Sequence, residues 1–377
     1  MTKLHISLVG GQPMPSYLGI IDDNQDDTIL IYSTKSERQA NIITKTIQAN
    51  FGKACKKVKF SAFNIGNIKS QIKELDRDIS QYDHITINLS SGSKPWSILF
   101  FEYFKEKSNI DCLYIDQNNN VWNLKTNDCH KIEYVPSFTE IFSLNETKIK
   151  SHIDFNIYTN EDFEAIEQIK QVRKKNYRAF NEILSRFANN PNSSYQEYQN
   201  DYSYIEWHSD TKTFHCELEE RNRKMYVKDI TSPNIHNLML SSGWFELEVA
   251  QFLSQWTLAK EIWLNCEFTT TQSVTQDTKN EIDIIINTGE KLLFVECKTQ
   301  VYQITDIDKF NNAVRTYGGL SAKRLFITDD KMETKAAEKC SNYEMLYFSL
   351  KELKKDPVKS QEFFAQLTAE MNESNKK

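Results

Sequence analysis

No apolar run in the 377-residue chain approaches the ~20 residues that span a bilayer, and its charged, polar N-terminus has no signal-peptide core. The expectation is a soluble, cytoplasmic protein with no membrane partner. Paired cysteines are missing too. The seven are scattered singly, with no C-x(2)-C and an odd total, which argues against a zinc site or a disulfide framework. Net positive charge is lacking: the balance of −6 disfavours a protein that coats nucleic acid regardless of sequence. There is no internal repeat, no G-x(4)-G-K-[ST] phosphate loop and no G-x-G-x-x-G fingerprint. What is present, 39% hydrophobic and 12% aromatic residues, suffices for two cores, and the length suits two domains with a small connector.

The most informative stretch is NEIDIIINTGEKLLFVECK, residues 280 to 298. Read as strands Ile282–Asn287 and Leu292–Lys298 joined by a turn at Gly289-Glu290, it sets Asp283 opposite Glu296. Glycine at the first central position suits a type II′ hairpin. The strand period of two puts Lys298 on the same face. The other face carries Ile282, Ile284, Ile286, Leu293, Val295 and Cys297, a core-facing set in which the cysteine is a buried small hydrophobe. A turn centred on Thr288-Gly289 would instead pair Glu281 with Glu296 and Asp283 with Phe294 while keeping the faces.

Two facing carboxylates repel unless a cation sits between them, and hard, oxygen-preferring Mg²⁺ or Mn²⁺ is the natural occupant. With a lysine alongside, such a site would activate a water and stabilise charge on a phosphate oxygen, as phosphodiester hydrolysis requires. The competing reading is an amphipathic hairpin with a solvated polar face.

Asp283 followed by Glu296-Cys297-Lys298 at the end of an apolar strand resembles the PD-(D/E)xK nuclease motif. That resemblance implies that Asp283 and Glu296 bind the metal and that Lys298 orients or deprotonates the water. Similar nucleases carry an acidic residue on the helix before this hairpin. SSGWFELEVAQFL, residues 241 to 253, reads as that helix, with Glu246 as the matching position and Glu248 as the substitute. Glu246 also reads simply as an N-terminal carboxylate stabilised by the helix dipole.

The first ~115 residues alternate strand and helix patterns in the manner of a parallel sheet covered on both faces. Strand candidates are Leu4–Val9, Thr28–Tyr32, Lys56–Ala62, His84–Leu89 and Cys112–Ile115, with helices near 36 to 50, 67 to 81 and 94 to 107. In such sheets the loops at the carboxyl ends of the strands hold the ligand. Here those loops are Gly10–Ser16, Ser33–Ser36, Asn64–Asn67 and Ser90–Pro95. Small hydroxyls, backbone N–H groups and a lysine at helix N-termini suit a phosphate-bearing ligand. Turn and capping chemistry explains each loop singly, as where Ser93 precedes a helix whose first turn holds Pro95.

GGQPMPS and LSSGSKP resemble CARF domains, the Rossmann-like sensors of cyclic oligoadenylates in type III CRISPR systems. A CARF-like start followed by the hairpin nuclease resembles the CRISPR ancillary nucleases of the CARF plus PD-(D/E)xK type. This implies an α/β architecture: a CARF sensor over 1–150, a helical connector over 151–194 and an α/β PD-(D/E)xK nuclease domain over 195–377. It also implies a homodimer with cyclic tetra-adenylate bound across its axis, near Gln12 and Met14. Ser33, Thr34 and Lys35 would face a phosphate or ribose, and Ser91, Gly92, Ser93 and Lys94 would contact phosphate. Many CARF domains carry Gly-Gly-Thr-Lys where this chain has Ser91–Lys94, so hydroxyl and lysine survive.

The resemblance implies a metal-dependent endonuclease acting on DNA and/or RNA in antiviral defence. Asp283, Glu296 and Glu246 would hold Mn²⁺ or Mg²⁺, and cyclic tetra-adenylate would be the allosteric activator. The alternative is a cyclic-nucleotide-sensing regulator that binds nucleic acid without cleaving it. Between the halves, Glu161–Phe187 reads as one long helix, a lever that ends at Asn189–Ser194. Its run Lys170, Arg173, Lys174, Lys175, Arg178 reads as a solvated face or a track for a phosphate backbone. Asp306–Tyr317 reads as a helix broken by Gly318-Gly319, with Lys323–Thr328 as a strand, and Gln300 and Lys309 as surface or strand-contacting residues. The tail after Gln361 reads as a polar helix fraying into 372–377.

Overall fold

The computed structural model describes residues 2–187, 195–220, 223–240, 243–269, 280–301, 303–318 and 322–372. Two compact units emerge, one built on Met1–Lys148 and the other on Ile149–Thr269 with the chain that follows up to Met371. The first runs β1 (Lys3–Leu8), α1 (Met14–Asp23), β2 (Asp27–Tyr32), α2 (Glu37–Phe51), β3 (Lys56–Lys59), α3 (Ile65–Asp78), β4 (His84–Asn88), α4 (Lys94–Phe104) and β5 (Ile110–Ile115). It closes with β6 (Asn120–Asn123), β7 (Cys129–Lys131) and α5 (Phe138–Leu144).

The sheet order is β3-β2-β1-β4-β5-β6-β7, parallel through β5 and antiparallel beyond. The strand order reverses between β1 and β4, and the crevice at that switch point is where open α/β sheets bind ligands. Strand β1 sets apolar Leu4, Ile6 and Leu8 on one face and His5 and Ser7 on the other, and all five are fully buried, as a sheet covered on both faces requires. The loop expected over Gly10–Ser16 is shorter than that, because Pro15 is accommodated in the first turn of α1, which starts at Met14.

The second unit opens with β8 (Lys148–Asp154), α6 (Asn160–Lys175) and α7 (Tyr177–Phe187). A meander follows: β9 (Tyr195–Asn200), β10 (Ser203–His208), β11 (Thr213–Glu219) and β12 (Met225–Thr231). Then come α8 (Ile235–Leu240), α9 (Gly243–Leu253), β13 (Glu261–Thr269), β14 (Asn280–Asn287), β15 (Leu292–Lys298), α10 (Thr305–Tyr317) and β16 (Lys323–Thr328). The chain ends with α11 (Thr334–Asn342), β17 (Leu346–Ser349), α12 (Leu350–Lys355) and α13 (Pro357–Asn372). A six-stranded mixed sheet, β17-β16-β15-β14-β13-β8, carries the hairpin at its centre.

Two helical expectations need correction. The single helix over 161–187 is two, broken at Asn176, whose Oδ1 accepts from Ala179 N at 3.1 Å and whose Nδ2 donates to Glu219 O at 2.9 Å. An amide that both caps the new helix and satisfies a strand carbonyl outweighs continuing the old helix. The breaker at 189–194 lies outside the described residues. The tail helix begins at Pro357 and is not merely polar, since Phe363, Leu367 and Met371 are buried in the core with Phe252 and Leu353. Gly319 and residues 373–377 lie outside the described residues.

Candidate active site and ligand loops

The hairpin register is Ile284 opposite Val295, Ile285 opposite Phe294 and Ile286 opposite Leu293, which places Gly289-Glu290 in the turn. Gly289 has a φ of 88°, the positive value that a type II′ turn takes at its first central position. Continued by one pair, this register brings Asp283 to Glu296. Lys298 Nζ lies 2.7 Å from Glu296 Oε1 and 3.4 Å from Asp283 Oδ2, so the ammonium occupies the gap between the carboxylates. Asp283 Oδ2 also accepts from Cys297 N at 2.7 Å.

The face that carries these groups is not solvated. Asp283 is 8% and Glu296 9% exposed, and Ile285 and Phe294 beside them are fully buried. Phe326 of β16, in register with Glu296, packs against Phe310 of α10, and Tyr317 of α10 stacks on Phe268 of β13. The apolar face, with Ile284, Ile286, Leu293, Val295 and Cys297, shares one core with α9, α12 and α13. A solvated amphipathic hairpin is thereby excluded, because both faces are covered.

Burial dominates the electrostatics. It pushes Glu296 up to about 8, with the Asp283 charge adding to the shift and Lys298 opposing it. Asp283 is also raised by burial, with Lys298 and the Cys297 N–H bond opposing. For Lys298, burial would lower the pKa, but the two carboxylates hold it above the ordinary lysine value. Glu246, half-buried in the first turn of α9, is raised well above the usual carboxylate range by burial, then by Asp283 and Glu281, with Lys298 opposing. Its charge therefore belongs to the same electrostatic group as the hairpin triad.

Glu248, the substitute for Glu246, lies elsewhere. It is 2% exposed, and Lys170 of α6 and Lys354 of α12 both reach its Oε1 at 2.6 Å. Its role is to tie three helices together. Two carboxylates without a place in the motif also act on the site: Glu281 on Glu246, and Asp306 of α10 on Glu296. Glu281 was legible in the sequence, being two residues from Asp283 and on the same strand face. Lys309 is exposed and lies 3.4 Å from Asp306, and Gln300 is exposed.

As donors, two buried carboxylates facing one another suit a hard divalent cation. Among the described residues no three His, Cys, Asp or Glu side chains are grouped closely enough to hold a metal ion. The Lys298 ammonium lies between the two carboxylates and offsets one of their charges.

In the first unit, the loops after β1 and β4 meet across the switch point. Gly10 N donates to Ser91 Oγ at 3.2 Å, and Ser91 Oγ donates to Gln12 O at 3.2 Å. A Cβ on Gly10 would stand 2.7 Å from Gly92 N, and Gly92 has a φ of 85°, so both positions call for glycine. Gln12 and Lys94 are exposed at this crevice, and Met14 is half-buried against the core. Ser93 caps α4, accepting from Trp96 N at 3.4 Å, so its hydroxyl serves the helix end as capping chemistry predicts. Ser33 and Ser36 are buried in their own turn, while Thr34 and Lys35 are exposed and Lys35 Nζ lies 4.8 Å from the Phe63 ring.

Residues 4–147 match the family model of the Card1 CARF domain. By structure the chain is similar to Can2 from Sulfobacillus thermosulfidooxidans in complex with cyclic tetra-adenylate. That match has 14% identity and a TM-score of 0.66, covering 98% of this chain and all of Can2. It is similar to protein VC1899 from Vibrio cholerae at 13% identity and a TM-score of 0.71, covering 98% of both chains. A type III CRISPR defence DNA nuclease activated by cyclic oligoadenylate matches at 13% identity and a TM-score of 0.56, covering 88% of this chain and 46% of that one. Comparison with curated proteins finds no match. The α/β architecture with an N-terminal Rossmann-like CARF domain stands, and the likeness to CARF-containing CRISPR ancillary nucleases extends, as fold, over nearly the whole chain.

Proposed function

We propose that the chain is a metal-dependent nuclease switched on by cyclic tetra-adenylate in type III CRISPR defence. The observation that carries this is the hairpin triad, in which one ammonium bridges two nearly buried carboxylates at the end of a central strand. A purely structural ion pair would leave a single carboxylate for the lysine. A second one, buried at a cost, calls for a further cation.

Asp283 and Glu296 would hold Mg²⁺ or Mn²⁺, with water filling its remaining positions, and Glu246 from α9, electrostatically linked to them, would join as a third ligand only once the ion is bound. When bound, that ion supplies charge to a phosphate oxygen and lowers the pKa of a water. Asp283 and Glu296 hold Lys298 above the ordinary lysine value, and as a cation it would orient the attacking water or steady the phosphate. Burial of the site under α10 excludes bulk water and strengthens each of these interactions. At the sensor, Gln12, Met14, Thr34, Lys35, Ser91, Gly92 and Lys94 would meet the ring ligand, with Ser33 and Ser93 shaping the turns around it. The Can2 complex with cyclic tetra-adenylate supports the choice of ligand.

The test is cleavage of labelled single-stranded RNA, single-stranded DNA and supercoiled plasmid with Mn²⁺, with and without cyclic tetra-adenylate, beside Glu296→Ala. Cutting that needs the ligand and is lost in the variant, while ligand binding persists, is the expected result. Ligand binding with no cutting of any substrate would replace it with the non-cleaving regulator.

A further inference from the structure

The second unit contains a groove of about 1340 Å³ where the junction of α6 and α7 meets Glu219, Glu220 and Arg223. Lys174, Lys175, Arg178 and Arg223 line it, with Tyr177 and Tyr202, which are 45% and 58% exposed. Two carboxylates share the lining, Glu219 and Glu220, and Glu220 is paired with Lys175 at 2.7 Å. Cations therefore outnumber carboxylates two to one on a chain whose net charge is −6. The groove is a local reversal of sign.

Its aromatic rings are set among these charges. Lys175 Nζ stands 4.8 Å from the Tyr226 ring, and the Arg173 guanidinium lies 4.7 Å from Tyr177 and 5.0 Å from Trp244. Arg173 thus stacks the groove's Tyr177 back onto α9, the helix whose first turn carries Glu246. The helix break at Asn176 brings Tyr177 and Arg178 to the same groove as Lys174 and Lys175.

We infer that this groove binds a single strand of nucleic acid, with phosphates on the cations and bases on the exposed tyrosines. Exposed rings interleaved with Lys and Arg are what a sequence-tolerant single-strand site needs, since every base has a face to stack. An acidic peptide would satisfy the charges and leave the tyrosine faces unused. That the bound strand is also the substrate rests on the nuclease reading; the binding itself does not.

The experiment uses the full chain carrying Glu296→Gln, in EDTA with cyclic tetra-adenylate present. Fluorescence anisotropy follows labelled single-stranded DNA and RNA oligonucleotides over a range of salt. Lys174→Ala with Arg178→Ala is expected to weaken binding and to lower the slope of log affinity against log salt by roughly 0.7 for each phosphate no longer neutralised. Tyr202→Ala is expected to weaken binding about 5-fold or more while leaving the slope unchanged. Unchanged affinity in folded groove variants would overturn the inference. So would poly-glutamate that binds the groove as tightly as the strand at equal charge while Tyr202→Ala weakens neither, which would make the groove a docking face for acidic protein. Groove-dependent binding by a wild-type chain that never cuts would sustain the groove and sink the nuclease. Cutting by a wild-type chain whose groove variants cut equally well would do the reverse.

Discussion

A carboxylate buried beside another carboxylate leaves a signature in stability as well as in chemistry. Glu296 is pushed up to about 8 in the folded chain, whereas an unfolded glutamate titrates near ~4.3. Below the unfolded value both states are protonated and burial costs nothing extra. As pH rises from there, the unfolded state ionises and gains hydration that the folded state forgoes until the folded pKa is passed. Metal-free protein should therefore lose stability from about pH 4 up to about pH 8, and Glu296→Gln, which cannot ionise, should lose less. Urea unfolding in EDTA at about pH 3.5 and about pH 8.5 reads this directly. The variant is expected to match wild type within error at the lower pH, below the unfolded value, and to exceed it by about 1–3 kcal/mol at the higher one, allowing for the opposing Lys298 charge. Parallel pH dependence in both proteins would show that Glu296 sits at an ordinary pKa and that its burial carries no cost.

Secondary-structure elements explain where the sequence was readable and where it was not. The hairpin was legible because three local signals agreed: an Ile-rich period-two strand, a glycine at the one turn position needing positive φ, and a charged face distinct from the apolar one. Strands β1, β2 and β4 were legible from recurring apolar residues such as Leu4, Ile6 and Leu8 or Ile85 and Ile87 set between helical patterns, and β5 from Cys112 and Ile115, although its Tyr114 is exposed. The meander β9–β12 was not, although its alternation is regular: Ser203, Ile205 and Trp207 point inward while Tyr204, Glu206 and His208 point out. Its outward face is so rich in Glu, Tyr and His that the polar residues mask the period of the apolar ones.

Asn176 escaped for a different reason. Nothing in the apolar spacing of 161–187 marks the break, because the deciding interaction, its bond to Glu219 O, comes from a strand 43 residues away. Asn176→Ala should therefore cost about 1 kcal/mol in chemical denaturation, the typical worth of a helix cap, with some added loss for the stranded carbonyl. An unaltered unfolding midpoint would mean that the break is set by the backbone and not by this amide. The proposal of Glu246 for the site came only by resemblance, since its electrostatic link to Asp283 depends on how α9 packs, which no local pattern reveals.

At the scale of the whole molecule, a ring with two-fold symmetry needs two copies of each loop, and an isologous dimer supplies them. The first unit offers a surface for that. Beside Ser91, Gly92 and Lys94 lies a hollow of about 450 Å³ bordered by Ile98, Tyr114 and Leu124. These three are 67%, 43% and 39% exposed and border one hollow beside the ligand loops, a surface that a second copy of the chain would cover. If it is the dimer face, ligand capture and self-association depend on the same few residues. Light scattering should then give wild type a mass twice the 44.1 kDa of the chain, and Ile98→Glu, which puts a charge on an exposed position, should remain folded but give the single-chain mass.

If cyclic tetra-adenylate binds the folded wild type as proposed, it is expected to raise the melting temperature, more at higher ligand concentration, and the same variant should lose that rise. Lys94→Ala should also lose it while remaining a dimer, and Glu296→Gln should keep both the dimer and the rise. That pattern separates assembly, ligand contact and chemistry into three residues on two units. An Ile98→Glu protein that stays dimeric and still responds to the ring would place the two-fold interface elsewhere and leave the patch at Ile98 without a part in sensing.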